Sequence, residues 1–204
     1  MKIQLPVFLF FISVSIFGQE RPIKVVAEEI PKRLALYAVN ENDQDFDVMI
    51  TITGTNFRQS KARPRLIRVP ATSKVHLKTL VLLRGKKPSY SYDLVVNDSL
   101  SKRAVRKEAK AIKIKPKKNI VVYVPEICNQ CDSLLLSLSE SKYIFDMHKL
   151  GENVEMKEQL SRSFANSVQL DSLETPIINL GGKLFTQIND YDDLISKLDF
   201  EDQE

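Results

Sequence analysis

The stretch Ile120-Val121-Val122-Tyr123-Val124-Pro125-Glu126-Ile127-Cys128-Asn129-Gln130-Cys131 joins a short apolar run to the only two cysteines in the chain. The run is β-branched and bounded by proline, which predicts a buried strand over Ile120 to Val124. The cysteines are three apart, the spacing of a dithiol that can close a small disulfide. A helix is expected from Cys128 to Ser139, because Leu134, Leu135 and Leu138 recur at helical spacing. The first sulfur would then sit at a helix N-terminus, where unpaired N–H groups and the macrodipole favour a thiolate. A free thiol of pKa near ~8.5 is about 3% ionised at pH 7, whereas one lowered to ~7 is about half ionised.

Downstream, strand and helix patterns alternate. Tyr143 to Met147 reads as a second strand and Glu152 to Phe164 as a second helix, with Val154, Leu160 and Phe164 inward. Thr175-Pro176 leads into a third strand at Ile177 to Leu180. Gly181-Gly182 turns the chain into a fourth, Lys183 to Gln187. A last helix over Asp192 to Leu198 has an acidic start, Asp190, Asp192 and Asp193, that complements its dipole. The expected order is β-α-β-α-β-β-α.

Upstream, Leu34 to Val39, Phe46 to Thr55, Leu66 to Val69, Val75 to Leu83 and Tyr90 to Val96 are alternating or β-branched segments. Turn chemistry separates them at Asn40-Glu41-Asn42-Asp43, Arg63-Pro64 and Gly85-Lys86-Lys87-Pro88. Short strands at this spacing predict an all-β, sandwich-like domain. Residues 99–118 are a basic run ending around Pro116, read as a solvated connector that is part helix. At the N-terminus, Lys2 precedes an apolar stretch from Leu5 to Phe17 and then Gly18-Gln19, the pattern of a cleaved signal peptide. The stretch is short for a spanning helix. The expected division is a signal peptide at 1–18, a β-sandwich-like domain at 19–98, a basic linker at 99–118 and an α/β domain at 119–204. The chain is expected to be periplasmic or secreted and, with no cysteine near the cleavage region, not a lipoprotein.

Export bears on the cysteines, since thiols outside the cytosol pair unless something keeps them reduced. A two-residue loop gains little as a stabilising staple. Zinc usually takes four ligands, and the only histidines are His76 and His148, so no metal is expected. No cofactor is implied. Nucleic acid is not an expected partner, for lack of an aromatic and basic recognition pattern.

The half from Asn119 to about Phe200 resembles a glutaredoxin, the compact member of the thioredoxin-like superfamily. Three features carry the resemblance: the dithiol after the first strand, Thr175-Pro176 before the third, and the Gly-Gly hairpin with its short terminal helix. It implies an α/β thioredoxin-like (glutaredoxin-type) C-terminal domain behind the all-β one, and a cis bond between Thr175 and Pro176. It further implies that these two residues form a substrate-binding loop beside the cysteines, able to pair with an extended segment. Departures from the family pattern argue against glutathione. Val124-Pro125-Glu126-Ile127 stands where glutathione-binding members carry a lysine, and Ile188-Asn189-Asp190-Tyr191 where they have a Gly-Gly-Asp-like turn. The tryptophan and buried acid of thioredoxins are also absent, with Val122 in the acid's place, leaving water or Glu126 to handle protons.

The chemistry that follows is thiol-disulfide exchange. Cys128 attacks a substrate disulfide and Cys131 resolves the mixed disulfide. The expected function is an exported thiol-disulfide oxidoreductase, a reductase or isomerase of protein disulfides recharged by a membrane or periplasmic redox partner. The alternative is a non-catalytic cell-envelope binding or scaffold protein. Asp43, Asp45 and Asp47 read as an exposed hairpin tip rather than a calcium loop. Neither His76 nor His148 has a catalytic pattern, and Tyr90 and Tyr92 read as packing residues on one strand face.

Overall fold

A computed structural model describes residues 22–165, 167–188 and 190–200. The expected signal peptide lies outside the described residues. In chain order the first nine strands are β1 (Lys24–Ile30), β2 (Arg33–Asn40), β3 (Phe46–Thr55), β4 (Phe57–Arg58), β5 (Ile67–Val69), β6 (Ser73–Leu82), β7 (Ser89–Asn97), β8 (Val105–Arg106) and β9 (Ala109–Ala111). They form two sheets. One runs β1-β2-β6-β4, with β9 also pairing with β6; the other runs β7-β3-β5-β8.

Alternation along the strands places one core between these sheets. Leu34, Leu36 and Ala38 of β2 and Val75, Leu77 and Leu80 of β6 meet Val48, Ile50 and Ile52 of β3 and Val69 of β5. Polar groups seal one end. Asn40, fully buried, donates from Nδ2 to the Gln44 and Pro70 carbonyls at 2.8 and 2.9 Å, and its Oδ1 accepts from the Asn42 N–H at 3.0 Å.

Asp47 is also fully buried, so the expected exposed tip of three aspartates is corrected at this residue. Arg68 donates to it from Nε at 2.6 Å and Nη2 at 3.2 Å, and the Ser101 N–H donates at 2.5 Å. The guanidinium is the main reason its carboxyl lies below the usual carboxylate range. Asp43 keeps an exposed side chain, and Asp45 accepts from the Ala71 N–H at 2.9 Å.

The basic run is corrected as well. Residues 99–118 hold no helix and instead supply β8, parallel to β5, and β9, antiparallel to β6 at Ser73–Val75. Lys107 steers this return, donating from Nζ to the His76 and Leu77 carbonyls at 3.0 and 2.9 Å. All three residues of β9 are exposed, so the strand has no apolar alternation to reveal it.

The third sheet, order β11-β10-β12-β13, comprises β10 (Ile120–Val124), β11 (Phe145–Lys149), β12 (Ile177–Leu180) and β13 (Lys183–Phe185). Three helices accompany it: α1 (Cys131–Glu140), α2 (Val154–Ser163) and α3 (Tyr191–Phe200). Period-2 alternation divides the strand side chains between two cores. Ile120, Val122, Ile178 and Leu180 pack with Leu134 and Leu138 of α1 and Leu194 and Leu198 of α3. On the other face Tyr123 and Ile177 pack with Leu160 of α2 and with Leu150 and Leu170 from two short 3-10 turns.

Over the described residues the chain is β-rich, with 42% strand and 19% helix, three sheets and three α-helices. This overturns the expected α/β thioredoxin-like (glutaredoxin-type) class. The expectation rested on the C-terminal two fifths and left the basic run outside any sheet, whereas the backbone hydrogen bonds of that run are made with β5 and β6.

Candidate dithiol site

Strand β10 delivers the chain to Pro125, which has no N–H to continue a ladder and is buried where the strand ends. Glu126 and Ile127 form a turn, and Cys128 follows, half-buried. The helix begins at Cys131 with Gln130 as N-cap, three residues later than the leucine spacing predicted. The delay is imposed from a distant part of the chain. The Asn129 N–H donates to the Glu174 carbonyl at 3.2 Å, which ties the turn to the segment ahead of β12. Cys128 therefore precedes the helix, and Cys131 occupies its first turn.

The two cysteines are joined in a disulfide, with Cα atoms 5.6 Å apart. Their environments differ. Cys131 is 1% exposed, packed at the start of α1 among the residues that hold the helix to the sheet, while Cys128 keeps part of its surface open to solvent. Gln130 makes no side-chain capping bond, and Ser133 Oγ donates back to its carbonyl at 3.0 Å. The disulfide thus sits at the positive end of an α1 dipole that no side chain caps.

The loop expected to bind substrate lies close by, through the same Asn129–Glu174 bond. Thr175, half-buried, donates from Oγ1 to the Thr186 carbonyl at 2.8 Å; Pro176 is buried. The bond between them is trans, since no peptide bond among the described residues is cis, and this corrects the cis geometry that the resemblance implied.

Glu126 is directed elsewhere. Its carboxyl stands over the Gly151 backbone, where an added Cβ would come within 3.1 Å of Oε1. Asp190 caps α3, accepting from the Asp193 N–H at 2.8 Å. His148 stacks on Tyr123 with ring centroids 5.7 Å apart.

One feature of the site escaped the sequence reading. Ile127, next to Cys128, is 58% exposed and lines a groove of about 590 Å³ with Val154, Lys157, Val168 and Leu170. A lone aliphatic residue in a polar turn directly before a cysteine was the available signal. The groove gives the disulfide an apolar flank, and its mouth carries charged side chains from α2.

Compared with protein-family models, with curated proteins and with solved structures, the chain matches none.

Proposed function

We propose that the chain is an exported thiol-disulfide oxidoreductase that reduces or isomerises disulfides in protein substrates through Cys128 and Cys131. The observation that supports this reading is the asymmetry of the pair, one cysteine half-open at a turn and the other buried on the first turn of α1. An exchange centre needs that division, because the outer sulfur must meet the substrate and the inner one must be kept from it until the mixed disulfide has formed.

In the reduced form the Cys128 thiolate attacks one sulfur of the substrate disulfide, and the other substrate sulfur leaves as a thiolate. The Cys131 thiolate then attacks Cys128 Sγ, releasing the second substrate thiol and leaving the Cys128–Cys131 disulfide. Two electrons have passed to the substrate, and a dithiol donor must return them. For isomerisation, the released substrate thiolate instead attacks a second substrate disulfide, and the substrate thiolate displaced there attacks the mixed disulfide, forming a new substrate disulfide and returning the Cys128 thiolate with no net electron transfer. In this reading Thr175 and Pro176, beside the turn, steady an extended substrate segment. Without a lysine ahead of Cys128, glutathione is disfavoured as the ligand.

Cys131→Ser should accumulate mixed disulfides with protein substrates that reductant dissolves, and Cys128→Ser should trap none. Wild type should accelerate the reduction of insulin by a dithiol, and Cys128→Ser should not. If wild type and Cys128→Ser behave alike in both assays, the dithiol has no exchange role and the chain acts by binding.

A further inference from the structure

We propose that the far end of the first sheet docks on an anionic lipid bilayer. Residues 56–92 contain ten lysines and arginines and no acid. The register carries part of this charge into one place. Ile30 lies opposite Arg33, Arg33 opposite Val81, and Val81 opposite Arg58, so four strands contribute one cross-strand row of alternating aliphatic and cationic side chains. Ile30 and Val81 are 45% and 44% exposed, and both arginines are exposed.

The turns flanking this row add Lys32, Arg84, Lys86 and Lys87, which with Val81 and Leu82 rim a cleft of about 900 Å³. The rim is held in shape by hydrogen bonds to backbone carbonyls. Leu82 N–H donates to the Lys32 carbonyl at 3.0 Å, Leu83 N–H to the Asn56 carbonyl at 3.2 Å, and Asn56 Nδ2 to the Lys87 carbonyl at 3.0 Å. None of the six cations has a carboxylate partner among the described residues.

Charge alone would suit any polyanion. The exposed aliphatics decide for a bilayer, because they gain only from a phase that removes them from water, while long cationic side chains reach the headgroups around them. A soluble polyanion leaves Ile30 and Val81 wet. No aromatic side chain lines the cleft to stack on a nucleic-acid base or sugar ring.

The chain has no tryptophan, so Val81→Trp places a single reporter at the tip. With vesicles of phosphatidylcholine containing phosphatidylglycerol, its emission should shift to the blue and be quenched by brominated acyl chains. Pure phosphatidylcholine should leave it unchanged, as should a reporter on the second sheet, Tyr92→Trp. In co-sedimentation with the anionic vesicles, Lys86→Glu/Lys87→Glu should weaken binding at least about 25-fold, from roughly a factor of five per cation. Ile30→Ser/Val81→Ser should weaken it about tenfold. The equal charge change Lys102→Glu/Arg103→Glu, away from the tip, should cost little at physiological salt. All variants share residues 1–21, so binding through that stretch cancels.

The proposal is overturned if the Val81→Trp emission ignores anionic vesicles, or if the distant reversal weakens binding as much as the tip reversal. Heparin binding that resists the Ile30→Ser/Val81→Ser change, without vesicle binding, would assign the surface to a soluble polyanion instead.

Discussion

Asp47, buried, and His76, half-buried, show how single groups set the acid side of stability. Asp47 has its pKa depressed, chiefly by the Arg68 hydrogen bond, so its contribution is complete above the unfolded value near ~3.9 and is lost as pH falls toward the folded one. Asp47→Ala leaves the Ser101 N–H without its acceptor and Arg68 without its carboxylate, keeping the Ser101 carbonyl at 3.1 Å, and should lower stability by roughly 3 kcal/mol, read from the urea midpoint. His76 is shifted down by burial and then by Lys107, with Thr79 Oγ1 at 2.8 Å from Nε2 and the Tyr37 ring at 5.4 Å. It stays neutral in the folded chain at a pH where the unfolded chain protonates it. Stability should therefore decline as pH drops below about 6.5, and His76→Gln should flatten that part of the profile. A profile unchanged by His76→Gln would remove this residue from the account.

Among the elements, backbone geometry makes the sharpest demand at Gly54, near the end of β3. Its φ is +150°, and an added Cβ would lie 2.2 Å from the Ser89 carbonyl oxygen of β7. Gly54→Ala should cost at least about 2 kcal/mol by forcing the two strands apart. Gly85, with φ +69° and open space around it, should lose only about 1 kcal/mol on the same change, the penalty of a left-handed turn alone. Equal losses at the two positions in thermal melts would show that the β3–β7 approach is not rigid.

Elements with dense apolar patterning were legible in the sequence: Ile120–Val124 and Ile177–Leu180 form strands over the stretches their β-branched runs mark. Boundaries set by long-range bonds were not. Cys128 to Gln130 carry nothing to say that Glu174 draws them out of the helix, and β8 and β9 hide in a lysine-rich run, β8 by its two-residue length and β9 because all its side chains are exposed. The dithiol was visible as spacing. Its unequal burial is a product of packing around Cys131, and the groove at Ile127 is closed by residues more than 25 positions away.

At the scale of the molecule, charge is divided. Residues 22–118 carry 22 lysines and arginines against nine acids, and residues 119–204 carry six against 16. The two units meet where Ile114 forms a parallel bridge with Tyr143, Lys142 pairs with Asp43 at 2.5 Å, and Lys113 donates to the Ser139 and Ser141 carbonyls at the end of α1. Ile114 is 6% exposed. Ile114→Asp should bury a charge at this joint and split a single calorimetric unfolding transition into two; one unchanged transition would mean that the ion pair and the Lys113 bonds suffice.

Strand β6 links the two ends of this arrangement. At Ser73–Val75 it pairs with β9, which leads within three residues to the bridge at Ile114; at Val81 and Leu82 it reaches the cationic tip. Ten residues at ~3.3 Å each make it a strut of roughly 30 Å. With the tip seated on lipid headgroups, the strut sets a minimum stand-off for the joint that carries the dithiol unit. Between Ala111 and Ile114 the backbone is pinned at Ile112, whose N–H donates to the Thr72 carbonyl at 3.1 Å, so the tether has almost no slack. The dithiol would work at a fixed height above the membrane, meeting the disulfides that come within its reach rather than swinging out to find them.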